Sequence, residues 1–235
     1  MPDTPPAIAA VLAGGTGSRM GASVPKQLLE VAGKPILQHT LEAFEASGAV
    51  DRIVLVMAEG HHDAAWAVAK AANVTKLSAV IAGGASRAAS SLAAIRWART
   101  QAGPDAKILL HDAARMLVTG RIIADVAAAL DGHEAVTAAI PSSDTIVETE
   151  GEHITAVPDR SRLRRVQTPQ GFRLGLIAEA HAAAAADPRF TPTDDCSVVL
   201  RFRPDVPVRI VAGSERNLKV TEPADLAVAE ALLRL

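Results

Sequence analysis

The sequence predicts an α/β protein with a mostly parallel sheet and helices on both faces. Short apolar runs typical of buried strands alternate with segments whose apolar residues recur at helical spacing, which is the pattern of repeated β-α-β units. Hydrophobic residues make up 49% of the 235 residues, enough to bury a large core. We therefore expect a Rossmann-like domain spanning residues 1–235, with a projecting β-hairpin dimerisation arm at about residues 141–166.

The elements follow one another regularly before and after this arm. The strands predicted before the arm are residues 8–12, 53–57, 80–81, 108–112 and 136–140. The helices predicted between them lie near residues 36–44, 64–72, 90–99 and 122–130. Beyond the arm we predict a helix at 174–186, a Pro-rich connection, a strand at 208–211 and a last helix. Pro223 predicts the start of that last helix, because proline suits the first helical position.

The arm is predicted where the regular alternation breaks, between Pro141 and Val166. Residues 145–149 and 153–157 flank Gly151, which indicates a hairpin with glycine in its turn. Alternate positions of both segments are too polar for a core strand pair. We expect the hairpin to pack on a partner subunit, and a lid over the protein's own site is the alternative.

Composition excludes several classes of function. The net charge of −2 gives no overall field for nucleic acid or anionic membranes, and 3% aromatic residues without tyrosine argue against base stacking. No apolar run approaches the ~20 residues that span a bilayer, and the N-terminus shows no signal-peptide pattern. The single Cys196 excludes an internal disulfide and a multi-cysteine zinc site. We expect a cytoplasmic protein with no nucleic-acid or membrane partner.

A glycine-rich loop, residues 13–21, follows the first strand directly. Glycines let backbone N–H groups approach phosphates, and Arg19 and Lys26 add positive charge, so the loop predicts a site for a nucleoside triphosphate. The spacing excludes a dinucleotide fingerprint, which needs a small residue three positions after Gly17, where this sequence has Met20. It also excludes a Walker A loop, because the Gly33-Lys34 pair is followed by proline. An ordinary strand-to-helix turn remains the alternative.

Further polar residues follow other predicted strands, at the edge where parallel sheets bind ligands. Gly83 and Gly84 with Ser90 could read a nucleobase, although a turn with a helix cap has the same pattern. Asp112 ends a strand, where it either caps the next helix or faces a triphosphate and holds Mg²⁺. Lys219 lies between a strand and a helix, and Arg160 lies at the base of the hairpin, suited to a second anionic substrate.

No Ser-His or Cys-His pair indicates a covalent mechanism. Cations and backbone donors favour direct phosphoryl-group displacement, catalysed by positioning and charge neutralisation. A nicotinamide-dependent oxidoreductase is disfavoured by the glycine spacing. A regulatory protein that binds a nucleotide without catalysing a reaction is the third hypothesis.

Ten segments in this order resemble the cytidylyltransferases of the 2-C-methyl-D-erythritol 4-phosphate pathway and relatives that activate ribitol 5-phosphate. The segments cover nearly the whole chain: residues 12–21, 25–27, 33–35, 83–90, 111–115, 144–145, 159–161, 168–170, 193–195 and 217–221. The resemblance implies transfer of CMP from CTP to a polyol phosphate with release of pyrophosphate, Mg²⁺ as cofactor, and a homodimer. Mixed motifs leave ribitol 5-phosphate as the alternative acceptor, and we favour methylerythritol phosphate.

The resemblance also implies roles for individual residues. The implied catalytic residues are Arg19, Lys26 and Lys219. The implied nucleotide-binding residues are Leu12, Ala13, Gly14, Gly15, Gly17, Gly83, Gly84, Ser90, Asp112 and Ala113. The implied polyol-phosphate site comprises Asp112, Arg115, Thr145, Arg160, Thr168 and Lys219, with Asp112 at the metal. Across the dimer, Thr145 and Arg160 would reach the neighbouring subunit's site. Ala85 stands where many relatives carry an acid, so base selectivity would depend more on backbone amides.

Overall fold

The computed structural model describes residues 5–15 and 25–235 of the chain. The strands are β1 (Ala7–Ala13), β2 (Glu30–Val31), β3 (Lys34–Pro35), β4 (Arg52–Met57), β5 (Leu77–Ala82), β6 (Lys107–Asp112), β7 (Ala135–Pro141), β8 (Glu148–Glu150), β9 (His153–Ala156), β10 (Arg164–Arg173) and β11 (Val208–Ala212). The helices are α1 (Ile36–Glu45), α2 (His62–Ala71), α3 (Arg87–Gln101), α4 (Gly120–Ala129), α5 (Leu174–Ala185), α6 (Asp195–Phe202) and α7 (Pro223–Leu233). No helix of the described part is long and apolar enough to cross a membrane.

Seven strands form one sheet in the order β11-β7-β10-β6-β1-β4-β5. β1 pairs in parallel with β4 and β6, β4 with β5, and β7 with β11. β10 is antiparallel and lies between β6 and β7. The predicted mostly parallel α/β fold is therefore confirmed.

Helices cover both faces because the central strands are apolar on both sides. Along β1, Ala9 and Val11 belong to one buried cluster, while Ile8 and Leu12 belong to another. The first cluster holds the inward residues of α1, α2 and α4, and the second those of α3, α5 and α6. Strands buried on both faces appear as continuous apolar runs, which is why they were predictable.

Four elements were not predicted: the two-residue strands β2 and β3, the strand β10 and the helix α6. The end of β10 that contains Arg164 and Arg165 is exposed, and Pro169 lies within it, so its sequence resembles a connection. The strand forms because its partners on both sides supply the pairing. The short helix α6 has a local signal that could have revealed it. Asp194 caps the helix and accepts from the Ser197 N–H, while the Ser197 hydroxyl accepts from the Asp194 N–H.

The hairpin is formed by β8 and β9 and is shorter than predicted. It is a separate two-stranded sheet, and Gly151 in its turn has φ = 58°, a conformation that favours glycine. Residues 145–147 precede the strand instead of belonging to it. Ile154 and Val157 are 65% and 63% exposed, so the hairpin presents apolar side chains to its surroundings.

One edge of the sheet gathers the predicted site. Gly14 follows β1, Gly83 follows β5, and Asp112 ends β6, so all three lie where parallel strands terminate. β10 runs in the opposite direction and therefore begins at this edge. The Thr168 hydroxyl consequently accepts a hydrogen bond from the Asp112 N–H at 3.1 Å.

Candidate active site

Two adjoining cavities open at this edge. The first, of about 250 Å³, is lined by Leu12, Gly14, Gly15, Lys26, Gln27, Arg87, Ser90, Asp112, Ala114 and Lys219. The second, of about 320 Å³, is lined by Arg87, Asp112, Arg115, Val166, Gln167, Thr168, Gln170, Thr193, Asp194 and Lys219. Arg87, Asp112 and Lys219 line both cavities and form the wall that they share.

Asp112 is the centre of this shared wall. Its Oδ1 lies 2.9 Å from Arg87 Nε, and its Oδ2 lies 2.7 Å from Lys219 Nζ. Burial alone would raise the pKa of Asp112, but the charges of Arg87 and Lys219 outweigh it and hold that pKa far below its usual value. Asp112 is therefore a permanent anion that presents a carboxylate to both cavities.

The segment 217–220 organises the cations of the site. Lys26 Nζ donates to the Val220 carbonyl at 2.7 Å, and Arg115 Nη1 donates to the Asn217 carbonyl at 2.7 Å. The Val220 N–H in turn donates to the Ala114 carbonyl at 2.9 Å. Burial lowers the pKa of Arg115, yet a guanidinium stays protonated. Residues distant in sequence thus place positive charge around both cavities.

The floor of the first cavity requires glycine. A Cβ on Gly14 would lie 2.8 Å from Ser90 Oγ, and one on Gly83 would lie 2.9 Å from the Gly14 Cα. A Cβ on Gly84 would collide with Ala89. The Ser90 hydroxyl accepts from the Gly84 N–H at 3.1 Å, so its own proton stays available for a ligand. Ser86 caps α3, so this segment fits both predicted alternatives, a turn with a helix cap and a site that reads a nucleobase.

The Thr168 hydroxyl is oriented by a contact with His111. This hydroxyl accepts from the Asp112 N–H and lies 3.1 Å from His111 Nδ1, so it donates to that nitrogen when His111 carries its proton on Nε2. His111 Nε2 lies 3.3 Å from the Arg115 carbonyl, which supports this tautomer. Burial lowers the pKa of His111 to about 3, so the imidazole is neutral at physiological pH. Thr168 can then offer a ligand a lone pair rather than a proton.

The predicted site residues fall into three groups. Most line the two cavities or their floor, as described above. Ala13 and Ala113 are fully buried beneath them. Arg19 and Gly17 lie outside the described residues. Thr145 and Arg160 belong to the arm, and neither is among the described residues that line the two cavities.

Sequence reasoning missed the ion-paired link from Arg87 to Asp195 and His181. Arg87 Nη1 lies 2.8 Å from Asp195 Oδ2, and Asp195 Oδ1 lies 3.0 Å from His181 Nε2. Arg87 and Asp195 each stood within a recognised motif without an assigned role, and they are 108 positions apart in the chain. His181 is 94 positions beyond Arg87. No local pattern could have paired them.

Residues 5–15 and 25–235 contain no group of three or more His, Cys, Asp or Glu side chains that could hold a metal ion. Among the described residues, Asp112 is the one carboxylate that lines both cavities, which suits a metal that brings most of its ligands with it. Burial raises the pKa of the Cys196 thiol, which makes a thiolate nucleophile unfavourable.

Comparison with known proteins decides the family. Residues 7–235 match the family model described as IspD, 2-C-methyl-D-erythritol 4-phosphate cytidylyltransferase. The chain belongs to this family. The enzyme of that name from Thermobifida fusca is 53% identical, with 98% of this chain and 94% of the relative covered. The family is one of CTP-dependent cytidylyltransferases, so this chain is an enzyme and the predicted resemblance is confirmed.

Structure comparison agrees with this cytidylyltransferase assignment. The crystal structure of the 2-C-methyl-D-erythritol 4-phosphate cytidylyltransferase from Thermus thermophilus has a TM-score of 0.75 and 31% identity, with 97% of this chain and 98% of that chain covered. A bifunctional ribulose 5-phosphate reductase/CDP-ribitol pyrophosphorylase from Haemophilus influenzae is 38% identical over 97% of this chain and 48% of its own length.

Proposed function

We propose that this protein transfers CMP from CTP to 2-C-methyl-D-erythritol 4-phosphate and releases pyrophosphate. The observation that carries this assignment is the pair of cavities joined by Arg87, Asp112 and Lys219. One nucleotide and one anionic acceptor could meet at that wall, as a transfer reaction requires. The reaction would supply a precursor of isoprenoids, and because CTP is a cytoplasmic nucleotide we expect the reaction in the cytoplasm.

CTP is assigned to the first cavity. Gly14, Gly83 and Gly84 would let the nucleotide approach the backbone, and the free proton of Ser90 would read the cytidine. Lys26 would bind the triphosphate, and Arg19 in the glycine loop is proposed to share this role. Charge that develops at the α-phosphorus would then be neutralised by fixed cations.

The acceptor phosphate is assigned to the second cavity, beside Arg115 and Lys219. Its oxygen would attack the α-phosphorus of CTP, forming one P–O bond while the bond to the departing pyrophosphate breaks. A phosphate monoester is already an anion near neutral pH, since its second pKa is about 6. The nucleophile therefore needs no general base, which agrees with a neutral, enclosed His111 and a protonated Cys196.

Mg²⁺ is proposed as the cofactor, with Asp112 as its protein ligand. Mg²⁺ often binds through one or two carboxylates together with substrate phosphates, and Asp112, an anion that lines both cavities, could supply one such carboxylate. Bound there, the metal would neutralise charge on the triphosphate. The chain's own contribution is to hold the Asp112 carboxylate in place through Arg87 and Lys219.

A homodimer is proposed because the arm forms a separate two-stranded sheet whose apolar side chains are exposed in the described part of the chain. An isolated two-stranded hairpin has marginal stability in water, and β8–β9 exposes Ile154 and Val157. A second copy that covers these side chains would bring Thr145 and Arg160 to its own acceptor cavity. Arg160 now donates to the Ser143 carbonyl at 3.1 Å and is otherwise exposed.

The acceptor is tested by measuring pyrophosphate release with CTP and each candidate polyol phosphate. We expect release with 2-C-methyl-D-erythritol 4-phosphate and at least tenfold lower kcat/KM with ribitol 5-phosphate, which corresponds to about 1.4 kcal/mol. The reverse preference would favour the alternative that the Haemophilus influenzae relative suggests. If neither acceptor supports pyrophosphate release, the proposed function is rejected.

The shared site is tested by mixing two inactive subunits. Lys26→Ala removes a group of the nucleotide cavity, and Arg160→Ala removes a group of the arm. A mixed dimer keeps both residues at one of its two sites, so co-expression should restore part of the activity. If dimers shown to be mixed recover none, Arg160 does not serve the neighbouring site.

A further inference from the structure

A line of buried charged and polar groups extends from Asp112 to residues outside the described lining of the two cavities. Arg87 donates through Nε to Asp112 and through Nη1 to Asp195, and the other Asp195 oxygen lies 3.0 Å from His181 Nε2. The side chains of Asp195 and His181 are only 1% and 3% exposed. The transfer reaction as derived above uses neither of them.

Burying an ionised carboxylate is costly unless its partners compensate. Burial would raise the pKa of Asp195, but hydrogen bonding by His181 and the charge of Arg87 lower it below the usual value. The Asp195 N–H also donates to Gln170 Oε1 at 3.1 Å, which fixes the carboxylate relative to β10. Asp195 is thus a rigid anion with both oxygens directed at donors.

This arrangement controls Arg87. Burial would lower the pKa of Arg87, yet the attraction of Asp195 and Asp112 raises it above the ordinary value. Its guanidinium is held at both ends, and its charge is shared between two carboxylates. Without Asp195, Arg87 would be free to turn toward the anionic nucleotide or to neutralise Asp112 alone. Either change would alter where the Asp112 carboxylate points.

We propose that Asp195 and His181 are positioning residues that clamp Arg87 and thereby hold Asp112 at the wall between the two substrates. His181 orients the Asp195 carboxylate, Asp195 orients the guanidinium, and the guanidinium orients Asp112. The proposal rests on the proposed function, because the consequence of a misplaced Asp112 is slower transfer. CTP binding is assigned mainly to the glycine floor, Ser90 and Lys26, so it should be affected less.

The test is steady-state pyrophosphate release by Asp195→Asn. Asparagine has the same size, but its amide faces two donors and can accept from only one of them. We expect kcat to fall about tenfold or more while KM for CTP changes less than about threefold. His181→Leu should produce the same pattern, and His181→Gln, whose Nε2 can still donate, should restore kcat to within about twofold of wild type.

Val199→Ala is the matched control, because Val199 is a fully buried apolar residue of the same helix as Asp195. It should lower thermal stability without changing kcat. Wild-type kcat in Asp195→Asn, or equal loss in His181→Gln and His181→Leu, would overturn the proposal. If the wild-type protein shows no turnover, the proposed function fails, and a crystal structure of Asp195→Asn then decides positioning. If that structure shows Arg87 bound to Asp112 as in wild type, the positioning role is refuted. If the Arg87 guanidinium is displaced, the positioning role is supported.

Discussion

Lys219 is a residue whose position depends on several separate elements. Its ammonium reaches Asp112 at the end of β6, and the segment that carries it is tied to β1–α1 through Lys26 and to β6 through Ala114. In the proposed reaction it faces the transferring group from the shared wall. Its role is therefore expected in the transition state more than in substrate binding.

Lys219→Ala should lower kcat by about 10²–10³-fold, the range seen when one group that stabilises transition-state charge is removed. KM for CTP should change much less, because other groups form the nucleotide cavity. Lys70→Ala, at an exposed position of α2, is the control and should behave as wild type. Steady-state pyrophosphate release gives both constants, and an unaltered kcat in Lys219→Ala would remove this residue from the mechanism.

His111 predicts how stability depends on pH. Its pKa is about 3 in the folded protein, against an ordinary value of about 6.5. As pH falls below about 6.5, His111 becomes protonated in the unfolded chain but stays neutral in the folded protein. The free energy of unfolding therefore falls by up to about 1.4 kcal/mol per pH unit. The lowered pKa values of Asp112 and Asp195 lead to further loss of stability below about pH 5, where unfolded aspartate begins to protonate.

Denaturant unfolding between pH 6.5 and 4 measures this effect. His111→Asn retains an oxygen acceptor for the Thr168 hydroxyl but cannot bind the extra proton, so its stability should depend less steeply on pH than that of wild type. His133→Asn, at an exposed position, serves as the control and should keep the wild-type slope. Equal slopes in His111→Asn and wild type would show that His111 is protonated in the folded protein.

Among the elements, α3 and the glycine turn before it form one unit. The Gly84 N–H is bound by Ser90 in the first turns of α3, and no room exists for a side chain between Gly84 and Ala89. The turn and the helix must therefore move together.

Gly84→Ala should lower the free energy of unfolding by about 1–3 kcal/mol, the usual cost of overpacking, and weaken CTP binding because Ser90 is displaced. Gly48→Ala is the matched control, since nothing lies within 4 Å of a Cβ at that position. Urea unfolding and calorimetric titration with CTP measure the two effects. If Gly84→Ala has the wild-type free energy of unfolding and the wild-type affinity for CTP, the turn adapts independently of α3.

The elements that the sequence could and could not predict differ in how locally they are determined. The parallel strands carry continuous apolar runs, so β1, β4 and β6 were predictable from those runs alone. Pairing by β6 and β7 makes β10 a strand despite Pro169. The same holds in the site. Lys26, Asp112 and Lys219 follow recognisable motifs, whereas the link from Arg87 to Asp195 and His181 exists only after α3, α5 and α6 have packed together.

At the scale of the whole molecule, the proposed shared site depends on the arm. Its apolar side chains have no cover within the described part of the chain, and its Thr145 and Arg160 are absent from the described lining of either cavity. In a dimer, one interface would cover the apolar side chains of the arm and also bring Thr145 and Arg160 to the partner's cavity.

Ile154→Asp should weaken this dimer, because a charge would be buried against apolar partner surface. Sedimentation velocity should show a shift toward monomer at micromolar concentrations, with activity falling in parallel. Val228→Asp, at a position of α7 that is 51% exposed, is the control and should leave the oligomeric state unchanged. A wild-type protein that sediments as a monomer while fully active would contradict the shared site.

The pairing of two substrates across Asp112 is tested most directly by a crystal structure of the protein with CTP and Mg²⁺. We predict cytidine over Gly83, Gly84 and Ser90, the triphosphate beside Lys26, and the α-phosphorus facing Lys219 and the open acceptor cavity. CTP bound elsewhere, or bound here with its α-phosphorus turned away from that wall, would contradict the proposed reaction.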